Sequence, residues 1–230
     1  MKNLGAQLYT VRNLLDTPCN MKNTLLKIKE IGYASVQLFG SAEFAGQLAK
    51  EAAAVGLQVS GILAELEDYE QNLDAYLAIC KNCGISDLAI SGFLTEAADV
   101  APYIQRVNAV AAKIRQHGLT FSYHNHADEF LKMPDGRTIM DHYMEGFDPE
   151  LVDFMPDTFW LHKGGCDVRH MLQRLNGRVK ILHLKDMKYT KNGQTFAEVG
   201  AGSLYFEGII PTALAQGVSQ CVVEQDVVRS

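Results

Sequence analysis

The sequence predicts a closed (β/α)8 TIM barrel, and three observations carry that prediction. Short apolar runs alternate with amphipathic helical stretches along the chain, and strict alternation implies parallel strands joined by helical crossovers. About eight such units follow one another within 230 residues, the number that closes a barrel. Neither nucleotide fingerprint of an open, doubly wound sheet is present: no G-x-G-x-x-G follows the first strand, and no G-x-x-x-x-G-K-[ST] occurs.

In order, the expected strands are Leu4–Thr10, Ser35–Gly40, Gln58–Ala64, Asp87–Gly92, Leu119–His126, Leu151–Phe159, Val179–Asp186 and Ser219–Asp226. Between them the helical stretches run near Met21–Ile31, Phe44–Val55, Asp68–Cys83, Ala97–His117, Thr138–Glu145, Asp167–Leu175 and Leu204–Ala215. Leu25, Ile28 and Ile31 illustrate the helical spacing. A glycine stands just past the end of each helix, where glycine closes helices most readily. The chain stops soon after the eighth strand. The last outer helix is therefore missing or unseen, and the flank it would cover is an expected place for a partner copy in a homo-oligomer. The whole of 1–230 reads as one barrel domain.

Composition narrows the function classes. At 47% hydrophobic and 21% charged residues the chain is ordinary globular protein, long enough to bury a core without disulfide staples. A formal net charge of −6 disfavours a nucleic-acid partner, which wants clustered Lys and Arg, yet leaves room for a local basic site for one phosphate. The opening MKNLGAQLYTVR enters a strand with no apolar leader, so no secretory signal is expected. No apolar run approaches the ~20 residues of a membrane span. Five cysteines without a framework spacing favour a reducing, cytoplasmic setting. Cys80 and Cys83 form a single CxxC with no second pair, and are expected to pack rather than ligate.

Barrels of this kind place their active sites at the C-terminal ends of the strands, and four successive strands end in polar groups. The fifth ends in His124, Asn125, His126, Asp128 and Glu129, the sixth in Asp157, the seventh in His183, Lys185 and Asp186, the eighth in Glu224 and Asp226. Period-two alternation puts Ser122, His124 and His126 on one face and Phe121 and Tyr123 on the other. It pairs His183 and Lys185 with Ile181, and Glu224 and Asp226 with Val222. The polar face is expected in the barrel mouth. Several buried carboxylates facing one another need a cation. Three carboxylates with one imidazole form a hard, oxygen-rich set suited to one divalent ion: Mn2+, Mg2+ or Co2+, with Zn2+ also admissible.

YHNHADEF, DTFW, HLKD and VVEQD, in that order, resemble the xylose-isomerase-like barrels grouped as sugar phosphate isomerases/epimerases. LGAQLYTVR and EVGAG are similar as well. Each motif is weak alone, but the ordered set is fairly specific and spans nearly the whole chain. The family includes ketose 3-epimerases, inosose dehydratases and isomerases, and the endonuclease IV group. The resemblance implies metal ligands Glu129, Asp157, His183 and Glu224, with Glu129 and Glu224 also moving protons at the carbon beside a carbonyl. It implies a small sugar or sugar phosphate as substrate.

His126, Trp160, Lys185 and Asp186 are the expected substrate-side residues, Lys185 as an oxyanion or phosphate contact and Asp186 as an orienting group or a cap. His124 is expected to be a packed, satisfied histidine. His117, His142, His162 and His170 carry no spacing signal, and Gly200 and Gly202 suit a turn. The chain departs from the sugar epimerases at Trp160, where they often carry His, at the short HLKD segment, and at Leu63, where many relatives carry His. A dehydratase, which begins with the same proton removal, and a non-catalytic sugar-binding barrel are the alternative readings. An abasic-site endonuclease fits poorly with the acidic balance and the few His at strand ends.

Overall fold

The computed structural model describes residues 4–92 and 96–227. Eight parallel strands form a nearly closed barrel in the order β6-β5-β4-β3-β2-β1-β10-β7. They are β1 Leu4–Gln7, β2 Ser35–Phe39, β3 Gln58–Ala64, β4 Asp87–Ser91, β5 Thr120–His124, β6 Asp153–Met155, β7 Ile181–Leu184 and β10 Gln220–Val223. Two further strands, β8 Asp186–Thr190 and β9 Gly193–Ala197, make a separate antiparallel hairpin. The outer layer comprises α1 Pro18–Ile31, α2 Ala42–Val55, α3 Leu66–Cys83, α4 Ala97–Arg115, α5 Ile139–Gly146, α6 Thr158–Lys163, α7 Val168–Arg174 and α8 Phe206–Ala215. Among the described residues no helix follows β10.

The helices start and stop where their termini can be satisfied. Thr17 accepts a hydrogen bond from Asn20 N and Pro18 opens α1, whose end is closed by Gly32 in the left-handed region at φ 108°. Leu25 and Ile28 of α1 are buried, whereas Ile31, expected on the same face, lies at the surface. Inside the barrel, Ala89, Met155, Ile181 and Val222 pack with Leu63 as a small interior layer. Phe121, Tyr123 and Phe154 point the other way into the main core between sheet and helices. The alternation expected for these strands is therefore present, with Ile181 and Val222 beneath the polar residues of their strands.

Three segments differ from expectation. The expected strand Leu151–Phe159 yields only Asp153–Met155, because Asp157 caps α6 by accepting from Trp160 N. The first strand ends at Gln7, and a 3-10 segment, Leu8–Leu14, takes over. The seventh strand ends at Leu184 and gives way to the β8–β9 hairpin, turned at Lys191 and Asn192.

The barrel is thinnest between β6 and β7. Among the described residues, the parallel bridges Phe154↔Val179 and Asp157↔His183 make up the ladder there. A hydroxyl adds a clamp there: Thr158 Oγ1 donates to Lys185 O at 2.7 Å and accepts from Lys185 N at 2.9 Å. The cysteines are all free, and burial pushes the Cys80 thiol up to about 12, in keeping with a packing role. Among the described residues no helix is long and apolar enough to cross a membrane.

Candidate metal centre

Four buried side chains meet at the C-terminal mouth of the barrel: His124, Asp157, His183 and Glu224 each offer a ligand atom, all within 4.8 Å of one another. They come from the ends of β5, β6, β7 and β10, so four consecutive neighbours of the barrel wall supply one donor each. His183 Nδ1 lies 2.8 Å from Glu224 Oε2. His124 Nε2 is 3.5 Å from Asp157 Oδ2 and 4.0 Å from Glu224 Oε2, too long for good hydrogen bonds, and neither ring nitrogen of His124 has a hydrogen-bond partner. A fully buried imidazole facing two carboxylates without bonding either is arranged for something seated between them. The donor set, two imidazoles and two carboxylates, fits a divalent transition ion.

Three of the four expected ligands, Asp157, His183 and Glu224, are brought together; Glu129 is not among them. Its Oε1 accepts from Tyr123 Oη at 2.6 Å and its Oε2 from His126 N at 2.9 Å. Tyr123 faces the helices, so Glu129 is anchored on the outer side of β5. Burial pushes its carboxyl up to about 7. His124 supplies the fourth donor instead. The expectation of a packed, satisfied histidine is corrected accordingly: His124 is packed but not satisfied. The signal was available, since period-two alternation already placed His124 inward as the last residue of its strand.

His183 is held by a chain of amides. Its Nε2 lies 2.7 Å from Gln37 Oε1, which also accepts from Gln7 Nε2 at 2.7 Å. An oxygen that accepts from Gln7 requires His183 Nε2 to be the N–H, which turns Nδ1 toward the other donors. Sequence reading missed both glutamines, although they sit at inward positions of β1 and β2.

Lys185, 1% exposed, places its ammonium inside the same cluster. Nζ lies 3.0 Å from Asp157 Oδ2, 3.1 Å from Glu224 Oε2 and 2.9 Å from Asp226 Oδ1. Burial works against the ammonium, but the three carboxylates outweigh it and hold its pKa above the ordinary value. Burial likewise raises Asp157 and Glu224, yet Lys185 and the facing imidazoles hold both below the usual carboxylate range. His126 is pushed down to about 3, chiefly by burial and then by His124 and Lys185, so its imidazole is neutral near pH 7.

A cavity of about 450 Å3 opens above the cluster, lined by His124, His126, Trp160, Lys185, Glu224 and Asp226 on the floor side. Of the expected substrate-side residues, His126, Trp160 and Lys185 face this cavity. Asp186 does not. It is fully buried, and its carboxylate accepts from Met187 N, Gly200 N, Gly202 N and Leu204 N at 2.7–3.2 Å. It ties the hairpin to the GAG turn.

A family model for xylose isomerase-like TIM barrels matches residues 25–225. Inosose dehydratases of Salmonella agona and Salmonella typhimurium are 29% identical over 86 residues, a stretch covering 37% of this chain and 27% of theirs. A sugar phosphate isomerase/epimerase from Parabacteroides distasonis has the same fold, with a TM-score of 0.81 at 20% identity over 100% of this chain and 88% of that one. So does a xylose isomerase-like protein from Mycobacterium smegmatis in complex with magnesium, with a TM-score of 0.77 at 15% identity over 100% and 92%. With this barrel, this strand-end cluster and a match over residues 25–225, the chain belongs to the xylose isomerase-like TIM barrel family.

Proposed function

We propose that the protein is a divalent-metal-dependent sugar isomerase or epimerase that removes a proton from the carbon beside a carbonyl. The observation that carries this reading is the convergence of four buried donors from four strand ends, with His124 left without a hydrogen bond at their centre. His124, Asp157, His183 and Glu224 would hold the ion, Mn2+, Mg2+ or Co2+ in first place and Zn2+ also compatible. When bound, such an ion supplies Lewis-acid polarisation of a carbonyl oxygen.

The remaining work falls to the side chains. Glu224, kept ionised by Lys185 and facing the cavity, is the base that takes the proton from carbon. The neutral His126 faces the same cavity and donates to a sugar oxygen, while Lys185, shared by three carboxylates, keeps Glu224 ionised. Leu63, Phe39 and Trp160 form a wall that limits water beside the reacting carbon. The substrate is a small sugar or sugar phosphate rather than a nucleic acid, and the free cysteines suit a cytoplasmic setting.

A dehydratase is the second reading, and a specific observation favours it. With Glu129 turned outward, the strand-five side of the cluster presents an imidazole, so carboxylate base chemistry is concentrated on the Glu224 side. An elimination in which Glu224 takes the proton from carbon and passes it to the departing hydroxyl, which leaves as water, needs only that side. The partial match to inosose dehydratases supports the same reading.

Two measurements test these assignments. Metal analysis of purified protein should find about one divalent ion per chain, lost in His124→Ala and Glu224→Gln and kept in Glu129→Gln. A full ion load in both of the first two variants overturns the ligand set. Turnover in D2O should place deuterium in recovered ketose for an isomerase or epimerase, whereas a dehydrated product identifies the lyase. Recovery of unlabelled, unchanged sugars from a wide panel would end the proton-abstraction reading.

A further inference from the structure

We infer that the substrate is an uncharged, unphosphorylated sugar, bound with an apolar C–H face against an aromatic wall. The inference rests on the carbohydrate reading above and deepens it. Three features in and around the cavity point the same way.

The first is the place where (β/α)8 barrels commonly bind phosphate, the loops after the seventh and eighth strands. A phosphate site there is built from backbone N–H groups converging on an anion. This chain has converging amides after β7, at Met187, Gly200, Gly202 and Leu204, but they are filled by the chain's own Asp186 carboxylate. A side chain at Gly202 would run into Asp186, so the turn is closed tightly around that carboxylate. No amide of this set is left for a ligand.

The second is the charge around the cavity. Among the described residues lining it, the cations are Arg12 and Lys185. Lys185 is shared by three carboxylates. The Arg12 guanidinium lies 4.2 Å from the Tyr9 ring centre and donates to Tyr9 O and Asp226 O, both at 2.9 Å. Opposed to them are Glu65, Asp68, Glu224 and Asp226. At the rim, Glu65 stands at the N-cap of α3, and Glu67 and Asp68 lie in its first turn. The helix end that would attract an anion is thus covered by carboxylates. A phosphate dianion would enter a mouth where carboxylates outnumber cations, and like charges in a partly desolvated site repel strongly.

The third is the wall itself. Tyr9, Phe39 and Trp160 line the cavity with Leu63. Tyr9 and Phe39 are set edge to face, with ring centres 5.3 Å apart. Carbohydrate rings carry apolar C–H faces that lie on such surfaces, and their hydroxyls reach carboxylates well: Glu65, Asp68 and Asp226 are good acceptors for O–H donors and poor neighbours for phosphate.

Trp160 is the single tryptophan of the chain and lies at the cavity, so its fluorescence reports occupancy without any turnover. Wild-type protein loaded with Mn2+ should be titrated with a panel of neutral ketoses, including D-fructose and D-xylulose, and with the terminal phosphate ester of each. The neutral sugars should give saturable changes, and each ester should bind about tenfold or more weakly at low salt. The double variant Glu65→Gln/Asp68→Asn should narrow that gap, and the wild-type gap should shrink as salt screens the mouth. An ester that binds as tightly as its parent sugar, or silence from every neutral ketose, overturns the inference. Failure of the isomerase reading has a different signature: neutral sugars bind, yet their carbon-bound hydrogen never exchanges with D2O.

Discussion

Replacing Lys185 by methionine keeps the volume and removes the charge that holds three carboxylates together. The ammonium is within 2.9–3.1 Å of Asp157, Glu224 and Asp226 and almost wholly buried. Removing one partner of a buried ionic network leaves uncompensated charge and costs about 3–5 kcal/mol. For a chain of this size each kcal/mol moves the midpoint by about 2–4 °C, so Lys185→Met should melt roughly 6–20 °C below wild type in EDTA. A cation seated among His124, Asp157, His183 and Glu224 supplies positive charge to the same oxygens. At 100 to 1,000 times its dissociation constant it stabilises by about 2.7–4.1 kcal/mol, enough to offset most of the deficit. It should also bind the variant more tightly, because the ammonium no longer repels it. Thermal melts with and without Mn2+ read this directly: the Mn2+-induced shift should be larger in Lys185→Met than in wild type, while turnover is lost. Equal shifts in the two proteins, or an unchanged midpoint in EDTA, would refute the reasoning.

The other expectations are simpler. Gln37→Leu removes the acceptor that orients His183 and should weaken metal binding about 10- to 100-fold, read by competition with a chelating dye. Asp87, buried beneath the barrel and bonded by Thr120 and Ser122, is raised by burial from 3.8 to about 7. The folded state therefore holds its proton more firmly than the unfolded state. Its contribution is complete below about pH 4 and is lost as pH rises toward 7, at about 1.4 kcal/mol per unit at most. In Asp87→Asn the fall in urea midpoint over that interval should flatten. A Cβ at residue 202 would meet Asp186 and Met187 O, so Gly202→Ala should destabilise by about 1–3 kcal/mol and loosen the hairpin, seen as faster amide exchange at Gly200 and Leu204.

The barrel was legible because its two periods and its helix-closing glycines recur along the chain. The site was legible in part. Asp157, His183 and Glu224 each stand at or just beyond a strand end, where alternation fixes the direction of the side chain. Glu129 stands five residues beyond the end of β5, inside the turn Asp128–Phe130 that redirects the backbone. Motif resemblance chose it, whereas the local rule already favoured His124. The glutamines behind His183 carry no charge and no spacing signal, and their role depends on contacts 30 and 146 residues apart in sequence. The β8–β9 hairpin had a local signal, Asn192 followed by Gly193, whose positive φ leads the chain out of the turn into β9, but it was absorbed into the strand–helix rhythm. For Asp186 the sequence left two readings, an orienting group or a cap, and the amides that it binds match the second.

The weakest join of the wall bears on how a bound ion would act. His124 and Asp157 stand on one bank of the β6–β7 gap, and His183 and Glu224 on the other. An ion held by all four would tie the two banks together where the ladder between them is sparsest, adding to the Thr158–Lys185 clamp.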